Sequence, residues 1–384
     1  MKDVKVPFIP GDGIGPELMA VARKVIDAAV EKASGGSISI KWEELLAGQA
    51  AYDQVGDYLP KSTLESIRLR GVALKGPLTT PIGGGIRSLN VAMRQSLDLY
   101  ASVRPVRYFD GVPSPVRNPE KLDVVIFREN TEDVYKGIEW KQGTKEAREL
   151  LEFLRSKGIE LSEDTGLGLK PMSERASKRL IRAAIRYALD HGLKKVTMVH
   201  KGNIMKFTEG AFRDWGYELA KTEFLDQAIR EVDLGGKDSG GKLVINDRIA
   251  DNMFQQILMR PEEYSVLATP NLNGDYLADA CAAQVGGLGL APGANIGDGI
   301  ATFEAVHGTA PKYAGRNLAN PCSLMLSGSM MLEYLGLKDA GRSMILGIER
   351  TLASGLLTQD LSRLVGKSGI GTSEFGREVI ARLG

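Results

Sequence analysis

Cysteine is scarce in this sequence of 384 residues, which contains Cys281 and Cys322 and no other cysteine. These two residues lie far apart and follow no metal-binding spacing, so the sequence indicates neither a disulfide framework nor a zinc site. We expect both thiols to be reduced and buried, as they are in most cytoplasmic proteins.

The sequence also lacks an excess of one charge and a long apolar run. Its 49 basic and 48 acidic residues leave a net charge of +1, which argues against binding to nucleic acid or to a membrane surface through bulk charge. No apolar run approaches the ~18 residues of a membrane span. The opening segment MKDVKVPFIPGDG lacks the apolar core and small-residue site of a signal peptide. We therefore expect a cytoplasmic protein without nucleic-acid or membrane partners.

Residues that build cores and loops are abundant. Hydrophobic residues make up 43% and charged residues 25%, which is typical of a soluble globular protein, and the length allows two domains or one large one. The 45 glycines are about 12% of the chain, against a usual ~7%. Most of the excess lies in short clusters, which favours loops that approach ligands closely.

One glycine cluster, Gly11-Asp12-Gly13-Ile14-Gly15, follows an apolar segment in the manner of a dinucleotide-binding loop. The G-x-G-x-x-G spacing fails, because a frame that starts at Gly11 has Pro16 at its last position and one that starts at Gly13 has Leu18 there. The cluster therefore predicts a turn and not a Rossmann site.

Strand-like and helix-like segments alternate, which predicts an α/β protein with a parallel sheet. The predicted strands are DVKVPFIP, ISIKWEE, VALKGP, VVIFREN, VTMVH and SVLATP. The predicted helices span Pro16 to about Ala33, Lys61 to Leu69, 144–157, Ser173 to Gly192, 244–264, 321–336, 339–354 and 373–382. Segment 223–242 is predicted to be an exposed loop, and 286–299 and 308–315 are predicted to be glycine-rich turns.

Segment 76–104 is the first candidate site. Thr79, Thr80, Pro81 and glycines 83–85 predict a loop, followed by a helix from about Ile86 with Leu89, Met93, Leu97 and Tyr100 on its core side. Asn90 and Arg94 share one side of that helix, Ser88 lies in its first turn, and Arg104 follows it. These groups could bind a small polyanion at a helix N-terminus. An ordinary amphipathic helix with solvated arginines is an equal alternative.

Three aspartates are candidates for a metal site. Asp275 and Asp279 are four residues apart at the start of a helix, after a predicted NLNGDY turn, and Asp251 is a third candidate. Such carboxylates suit Mg²⁺ or Mn²⁺. Two acids at this spacing are also common on solvated helices.

The remaining candidates concern proton transfer and phosphate binding. Lys201 comes shortly after the apolar segment VTMV, where partial burial or neighbouring cations would lower its pKa toward the working range, and Tyr135 could donate a proton. In the segment 307–321, Lys312 and Tyr313, together with Arg363, could hold a phosphate and stack on a ring. Each of these residues could instead have a purely structural role.

Six segments together resemble the NADP-dependent isocitrate dehydrogenases, which are metal-dependent β-decarboxylating dehydrogenases. The segments are TTPIGGGIRSLNVAMRQ, VIFRENTEDVY, VHKGNIMKFTEGAF, NLNGDYLADA, GGLGLAPGANIGD and HGTAPKYAG. The resemblance covers nearly the whole chain, with 223–242 the least certain part. It implies the fold of the isocitrate/isopropylmalate dehydrogenases, which is not a Rossmann fold. It also implies a large domain (1–99 and 286–384), a small domain (100–132 and 174–285) and a clasp for dimerisation (133–173).

The resemblance implies that isocitrate loses hydride to NADP and then CO₂, in the tricarboxylic acid cycle, with Mg²⁺ or Mn²⁺ bound. It also implies a homodimer with shared active sites, to which Lys201 and Asp251 come from the partner subunit. The implied isocitrate ligands are Ser88, Asn90, Arg94, Arg104 and Arg128. The implied metal ligands are Asp251, Asp275 and Asp279, and the implied proton-transfer pair is Tyr135 and Lys201. The implied NADP contacts are Thr79, Thr80, His307, Gly308, Thr309, Ala310, Pro311, Lys312, Tyr313, Asn320 and Arg363.

Finer choices within the family also follow from the resemblance. Ser88 and Asn90 favour isocitrate over isopropylmalate, and Lys312 with Tyr313 favours NADP over NAD. Gln359 weakens the preference for NADP, because close bacterial relatives have a tyrosine there. The alternatives are a dehydrogenase for homoisocitrate or a related malate, or a regulatory subunit that binds isocitrate without reacting. Some bacterial relatives are phosphorylated at the position of Ser88, so regulation there is a hypothesis.

Overall fold

The computed structural model describes residues 2–80 and 88–384. Over these residues the strands are β1 (Lys2–Ile9), β2 (Ile38–Glu44), β3 (Val72–Lys75), β4 (Ala101–Arg107), β5 (Asp123–Glu129), β6 (Glu139–Trp140), β7 (Leu167–Gly168), β8 (Lys195–His200), β9 (Ala228–Arg230), β10 (Leu243–Ile249), β11 (Val266–Thr269), β12 (Pro292–Gly297) and β13 (Ile300–Ala305). The helices are α1 (Gly15–Ser34), α2 (Gln49–Val55), α3 (Lys61–Arg70), α4 (Leu89–Ser96), α5 (Lys145–Ser156), α6 (Glu174–Asp190), α7 (Glu209–Glu223), α8 (Ala250–Met259), α9 (Asn271–Gln284), α10 (Cys322–Tyr334), α11 (Lys338–Ala353), α12 (Gln359–Ser362) and α13 (Thr372–Ala381).

In this described part, eleven strands form one sheet in the order β2-β1-β3-β13-β12-β4-β5-β11-β8-β10-β9, and β6 pairs with β7 separately. The strands at both ends of the sheet are parallel to their neighbours, for example β1 with β2 and β8 with β10. The prediction of a parallel sheet is wrong at the centre, because the pairs β13-β12, β12-β4 and β4-β5 are antiparallel.

One of these antiparallel pairs, β12 with β13, is a tight hairpin that begins within the segment 286–299, which was expected to be a glycine-rich turn. The second half of that segment is largely β12, and the short turn to β13 contains Gly299 at a φ of +73°. Two of the glycines serve close packing within the strand. A Cβ on Gly297 would lie 2.7 Å from Asp98 O, and one on Gly293 would lie 3.2 Å from Glu304 O. Within β12, glycine therefore allows close contact with neighbouring backbone, whereas Gly286, Gly287 and Gly299 have the positive φ values typical of turns.

Most predicted helices are present. The helix predicted from Ser173 to Gly192 is α6, with the Ser173 hydroxyl accepting from Ala176 N at its start and Gly192 at a φ of +63° just beyond its end. The three C-terminal helices match α10, α11 and α13. They pack with α1 over one face of the sheet around a core that includes Leu18, Met344 and Phe375.

The helix predicted over 244–264 is wrong in its first third, because residues 243–249 form β10 between β8 and β9. The β-branched pair Val244 and Ile245 favours a strand, and α8 begins only at Ala250. Met253 is buried as expected, whereas Leu258 is 55% exposed. Segment 223–242 was expected to be a loop throughout, but it contains the short strand β9.

The expected NLNGDY turn is instead the first turn and a half of α9, which begins directly after Pro270. Gly274 permits close contact and makes no bend, since a Cβ there would lie 2.2 Å from Thr269 Oγ1 and 2.7 Å from Arg128 Cβ. Tyr100 is also not part of α4, which ends at Ser96. The predicted loop residues Pro81 and glycines 83–85, and the predicted helix start at Ile86, lie outside the described residues.

Cys281 and Cys322 are both free and buried, which confirms that prediction. Among the described helices, none combines the length and the apolar character that crossing a membrane requires.

Candidate active site

Helix α4 presents its polar side to a cavity of about 110 Å³, which we call the arginine cavity. Asn90 and Arg94 both line it, so their predicted common side is confirmed. Ser88 is the N-cap residue of α4, and its hydroxyl makes no capping bond among the described residues. The arginine cavity therefore has an amide and a guanidinium from α4 on one side.

Strand β4 supplies Arg104 to the same cavity. Because side chains alternate along a strand, Ser102 and Arg104 face the arginine cavity, whereas Val103 and Arg107 line a different cavity of about 380 Å³. That second cavity is lined mainly by apolar side chains, and none of the predicted site residues that the structure describes borders it. The cavity of about 380 Å³ therefore lies on the opposite side of the sheet from the predicted site residues.

A buried ion network, absent from our sequence predictions, forms one wall of the arginine cavity. Glu304 accepts hydrogen bonds from Arg94 Nη2 at 2.9 Å and Asn295 Nδ2 at 2.7 Å, and its Oε2 lies 2.6 Å from Lys75 Nζ. Lys75 also donates to Asn90 Oδ1 at 3.0 Å. Burial works against ionisation, but the cations of Lys75 and Arg94 hold the pKa of Glu304 well below its usual range. The sequence does contain a sign of this network, because the charged residues Lys75 and Glu304 occur in the otherwise apolar segments VALK and IATFEA.

Arg128 lies at the end of β5 with 1% of its surface exposed. Its Nε donates to Asn271 Oδ1 at 2.9 Å, and its Nη1 donates to Asp275. The guanidinium carbon lies 4.8 Å from the centre of the Tyr135 ring, and Tyr135 Oη donates to Asp275 Oδ2 at 2.6 Å. A predicted substrate ligand, a predicted proton donor and a predicted metal ligand thus meet at one point.

Arg104 joins this group to Asp279. Its Nη1 donates to Asp279 Oδ1 at 3.3 Å, and its Nη2 lies 3.9 Å from Asp275 Oδ1. Asp275 and Asp279 are one turn apart on α9, as predicted, and the Asp279 side chain is half exposed. Two carboxylates with accessible oxygens therefore lie beside two arginines.

Burial and charge set the protonation states of this group. Burial lowers the pKa of Arg128 to about 10, and two nearby arginines add to the effect, so it remains cationic at neutral pH. Burial and the bond to Asp275 raise the pKa of Tyr135, so its hydroxyl stays protonated. Burial acts to raise the pKa of Asp275, but Arg128 and Tyr135 outweigh it and lower that pKa. For Asp279, burial prevails over Arg104 and raises the pKa.

Lys201 and Asp251 form a separate pair. Lys201 follows β8 and Asp251 lies in the first turn of α8, and the Lys201 ammonium contacts the Asp251 carboxylate. The two side chains are 33% and 70% exposed, so Lys201 is partly buried, as expected. Within residues 2–80 and 88–384, no three potential metal ligands cluster. Asp251 therefore does not join Asp275 and Asp279 within one chain.

The predicted cofactor residues border a cavity of about 440 Å³, which we call the cofactor cavity. The predicted residues that line it are His307, Gly308, Ala310, Lys312, Tyr313, Asn320 and Arg363. Gln359 lines it too, next to Asp360. The predicted contact Pro311 begins a short 3-10 turn, Pro311–Tyr313, beside it.

The segment from Gly11 to Gly15 packs against this loop, although it is not a dinucleotide fingerprint. A Cβ on Gly13, at a φ of +59°, would lie 2.0 Å from Thr309 O, and Ile14 N donates to that oxygen at 2.9 Å. Thr79 Oγ1 bonds Thr309 Oγ1 at 3.1 Å, and Thr79 N donates to Asp12 Oδ2 at 2.8 Å. Asp12, which we did not predict, holds this part of the site, and the predicted contact Thr80 follows at the edge of the described residues.

His307 and Gly308 line both the arginine cavity and the cofactor cavity. Burial lowers the pKa of His307, so its ring is neutral at physiological pH. Among the described residues, His307 Nε2 and Arg94 Nε are buried without a hydrogen-bond partner. Buried polar atoms of this kind require a partner, which favours a polar ligand at the junction of the two cavities.

Comparison with known proteins assigns the chain to a family. The family model described as isocitrate/isopropylmalate dehydrogenase matches residues 5–379. The chain is 56% identical over 383 residues to "Isocitrate dehydrogenase [NADP]" of Archaeoglobus fulgidus, covering 98% of this chain and 92% of the relative. It is 55% identical over 401 residues to the protein of the same name from Staphylococcus epidermidis, covering 98% and 95%.

A solved structure gives the same result. The crystal structure of isocitrate dehydrogenase from Methylococcus capsulatus matches with a TM-score of 0.82 and 38% sequence identity, covering 100% of this chain and 99% of that one. The fold class inferred from the six sequence segments is thereby confirmed. The chain belongs to the isocitrate/isopropylmalate dehydrogenase family.

Proposed function

We propose that this chain catalyses the NADP-dependent oxidative decarboxylation of isocitrate to 2-oxoglutarate and CO₂, a step of the tricarboxylic acid cycle. The observation that carries the proposal is the wall of His307 and Gly308, which the arginine cavity shares with the cofactor cavity. A substrate carbon and a nicotinamide ring bound in adjoining cavities can approach each other as hydride transfer requires. The names of the relatives from A. fulgidus and S. epidermidis support both isocitrate as substrate and NADP as cofactor.

Arg94, Arg104 and Arg128 bind the carboxylates of isocitrate in this proposal, with Ser88 and Asn90 bonding to its remaining oxygens. In the structure each guanidinium faces an acid of the protein, with Arg94 on Glu304 and the other two on α9. Three guanidinium groups suit a tricarboxylate, because each can bind a carboxylate through two parallel hydrogen bonds. When substrate carboxylates take these donors, the oxygens of α9 become available to a cation.

A divalent metal fits the acidic side of the site. Asp275 and Asp279 offer hard oxygen donors one turn apart, and Asp251 offers a third that is well exposed on the same chain. We propose that Asp275 and Asp279 hold Mg²⁺ or Mn²⁺ together with Asp251 of a second copy. A cation bound there would acidify the substrate hydroxyl and stabilise negative charge while CO₂ leaves.

Two side chains carry out proton transfer in the proposed reaction. Lys201, as the neutral amine, would take the proton of the substrate hydroxyl, directly or through water, and bound NADP would supply the hydride acceptor. Tyr135 then donates its proton to carbon after decarboxylation, and its raised pKa keeps that proton available at neutral pH. Arg128 over the Tyr135 ring, and Asp275 on its hydroxyl, hold the phenol in place.

We propose a homodimer in which Lys201 and Asp251 serve the active site of the partner. Both side chains are partly exposed, and the segments that carry them also expose apolar side chains, with Ile204 70% and Phe207 91% exposed soon after Lys201 and Met259 66% exposed at the end of α8. A group of exposed apolar side chains on a soluble protein commonly marks a protein interface. Segment 133–173 also exposes apolar side chains such as Phe153, which suits its proposed role as a clasp.

Mixing two inactive variants tests the shared site. If Tyr135 and Lys201 act in trans, a Tyr135→Phe chain and a Lys201→Met chain together rebuild one complete site in each mixed dimer. Random reassociation of equal amounts, after mild unfolding, is then expected to recover about a quarter of wild-type activity. If both residues act within one chain, the mixture stays as inactive as its components.

We further propose that the large domain comprises 1–99 and 286–384, the small domain 100–132 and 174–285, and the clasp 133–173, in a protein of the cytoplasm. The change from parallel to antiparallel pairing around β12 and β4 supports this boundary, and the arginine cavity is lined by residues from both sides of it. Ligands commonly bind where two domains adjoin.

The function is tested by following NADP reduction with isocitrate, homoisocitrate and isopropylmalate, each with Mg²⁺, with Mn²⁺ and with EDTA. We expect turnover with isocitrate, dependence on the metal, and slower reaction with NAD. Faster turnover of homoisocitrate would assign the related malate as substrate. Binding of isocitrate without turnover of any substrate would identify a regulatory subunit.

A further inference from the structure

Lys170 lies outside both ligand cavities, between β7 and α6, and joins two buried carboxylates. Its ammonium contacts Asp133 and lies 2.9 Å from Glu209 Oε1. The Lys170 side chain is 16% exposed, while those of Asp133 and Glu209 are 2% and 0% exposed. Because buried anions are costly without a cation, Lys170 holds this cluster together.

Asp133 connects the cluster to Tyr135 and to α9. It begins the 3-10 turn Asp133–Lys136 that carries Tyr135, at a φ of +67°, a conformation that non-glycine residues rarely adopt. Its own N–H donates to Pro171 O at 2.9 Å, and its Oδ2 accepts from Leu272 N at 3.0 Å in the first turn of α9. An anion at that helix N-terminus is favourable, and α9 carries the two aspartates proposed to bind metal.

Glu209 connects the cluster to Lys201. This carboxylate, at the start of α7, accepts from the backbone N–H of Lys201 and from Asn273 Nδ2 at 2.8 Å through its Oε2. Asn273 is also in the first turn of α9. One buried carboxylate therefore ties the strand end that presents Lys201 to the helix that presents Asp275.

We propose that Lys170 is a positioning residue for the reaction. It fixes three segments relative to one another, namely the turn that carries Tyr135, the end of β8 that leads to Lys201, and the start of α9. The inference rests on the proposed function, since it assigns proton transfer to Tyr135 and Lys201. Without the ammonium, Asp133 and Glu209 are two buried anions that repel each other and draw in water. A displacement of about 1 Å in groups that must align with a substrate can cost ~10²-fold in rate.

Lys178 provides a matched control. It also bridges two carboxylates, with Nζ at 2.6 Å from Glu174 Oε1 and 2.9 Å from Glu218 Oε2. These two acids are exposed, and they belong to α6 and α7, respectively. The experiment compares Lys170→Met, Lys170→Arg and Lys178→Met with wild type as complete, metal-loaded enzymes. The readouts are kcat and KM for isocitrate and the exchange of the C3 protons of 2-oxoglutarate in deuterium oxide. That exchange requires the proton donor but no hydride transfer.

For Lys170→Met we expect kcat and C3 exchange to fall together by ~10–100-fold, with KM for isocitrate within about threefold of wild type. The KM is spared because the arginine cavity contains no residue of the cluster. Lys170→Arg keeps the cation and is expected to recover most of the activity, and Lys178→Met is expected to match wild type.

If Lys170→Met does not fold, Glu209→Gln makes the same test, because it keeps the side-chain shape and an acceptor oxygen while removing one charge. It is expected to lower kcat and C3 exchange together, by several-fold, at unchanged KM. The inference is overturned if kcat of the folded variant stays within twofold of Lys178→Met, or if KM rises as much as kcat falls. Absence of isocitrate turnover by wild type would instead contradict the proposed function.

Discussion

Tyr135 Oη donates a hydrogen bond of 2.6 Å to Asp275 Oδ2, although one residue lies in the turn after β5 and the other in α9. The bond joins the proposed proton donor to a proposed metal ligand. It helps to lower the pKa of Asp275, against the effect of burial, and it adds to burial in raising that of Tyr135. One contact therefore favours both the ionised form of Asp275 that the proposed metal site requires and the protonated form of Tyr135 that its proposed role as proton donor requires.

Replacement of Tyr135 by phenylalanine is expected to lower kcat for isocitrate oxidation by ~10²–10³-fold, because the enol loses its proton donor. The KM for isocitrate should change little, since the phenol is not among the carboxylate ligands. Tyr108→Phe is the control. The Tyr108 hydroxyl also makes a partly buried hydrogen bond, 2.8 Å to Val112 O, but Tyr108 does not line the arginine cavity. Steady-state kinetics of both variants measure the effect, and equal kcat values would refute the role of Tyr135.

Replacement of Arg104 by lysine tests carboxylate recognition. The variant keeps the charge but loses the fork that binds a carboxylate through two hydrogen bonds. The loss of one charged hydrogen bond, worth ~1.5–3 kcal/mol, is expected to raise KM for isocitrate by ~10–100-fold. Arg107→Lys is the control, since Arg107 is on the same strand but pairs with Glu349 on the other side of the sheet. A similar KM for both variants would show that Arg104 does not bind substrate.

The sequence predicts those parts of the site that lie within a single helix. Asn90 with Arg94, and Asp275 with Asp279, share a helix side, and helical spacing alone places each pair. Spacing does not reveal which distant segments meet. The contact of Arg128 with Asp275 depends on α9 lying against β5, which Gly274 permits by lacking a side chain. The sequence had suggested that this glycine makes a turn.

The buried charges were hidden for a related reason. Glu304 and Lys75 lie in apolar strands, and only the pairing of β13 with β3 shows that they neutralise each other. The antiparallel centre of the sheet was missed because glycines in β12 suggested a turn, whereas they allow neighbouring backbone to approach. Local propensity describes single segments, and these features arise from contacts between segments distant in sequence.

Replacement of Arg363 by alanine tests the choice of cofactor. Arg363 lines the cofactor cavity with Lys312 and Gln359, and its cation is proposed to hold the 2′-phosphate of NADP. KM for NADP is expected to rise by ~10-fold or more, as for the loss of a charged hydrogen bond, while KM for NAD stays the same. Lys367→Ala removes an exposed cation four residues away that does not line the cavity. Equal losses with both cofactors would show that Arg363 does not discriminate between them.

Replacement of Ser88 by aspartate tests whether a charge at this position regulates the enzyme. Ser88 is the N-cap residue of α4, next to the side of the helix that Asn90 and Arg94 present to the arginine cavity. A carboxylate there would occupy the helix N-terminus and repel a substrate anion, so KM for isocitrate is expected to rise by at least ~10-fold. Ser88→Ala, which adds no charge, is expected to raise it much less. Unchanged affinity of the aspartate variant, measured by isocitrate titration, would count against regulation at Ser88.

Replacement of Glu304 by glutamine tests the buried ion network through its dependence on pH. Because Lys75 and Arg94 outweigh burial and depress the Glu304 pKa in the folded state, the carboxylate adds stability at neutral pH. That contribution is complete above the usual carboxyl pKa of ~4.3 and is lost as pH falls below it. Removing one partner of a buried ion pair costs ~3–5 kcal/mol, so the variant should melt well below wild type at pH 7.

The gap in melting temperature between wild type and Glu304→Gln is expected to stay constant from pH 8 to about pH 6 and to narrow below about pH 4.3, where the unfolded wild-type chain takes up the proton. Glu43→Gln is the control, because Glu43 pairs with Arg70 at 3.3 Å on the exposed surface, where such pairs are worth little. Its melting temperature should follow wild type at every pH. A gap for Glu304→Gln that widens as pH falls would mean that the acid is protonated in the native state, and that the two cations do not control its ionisation.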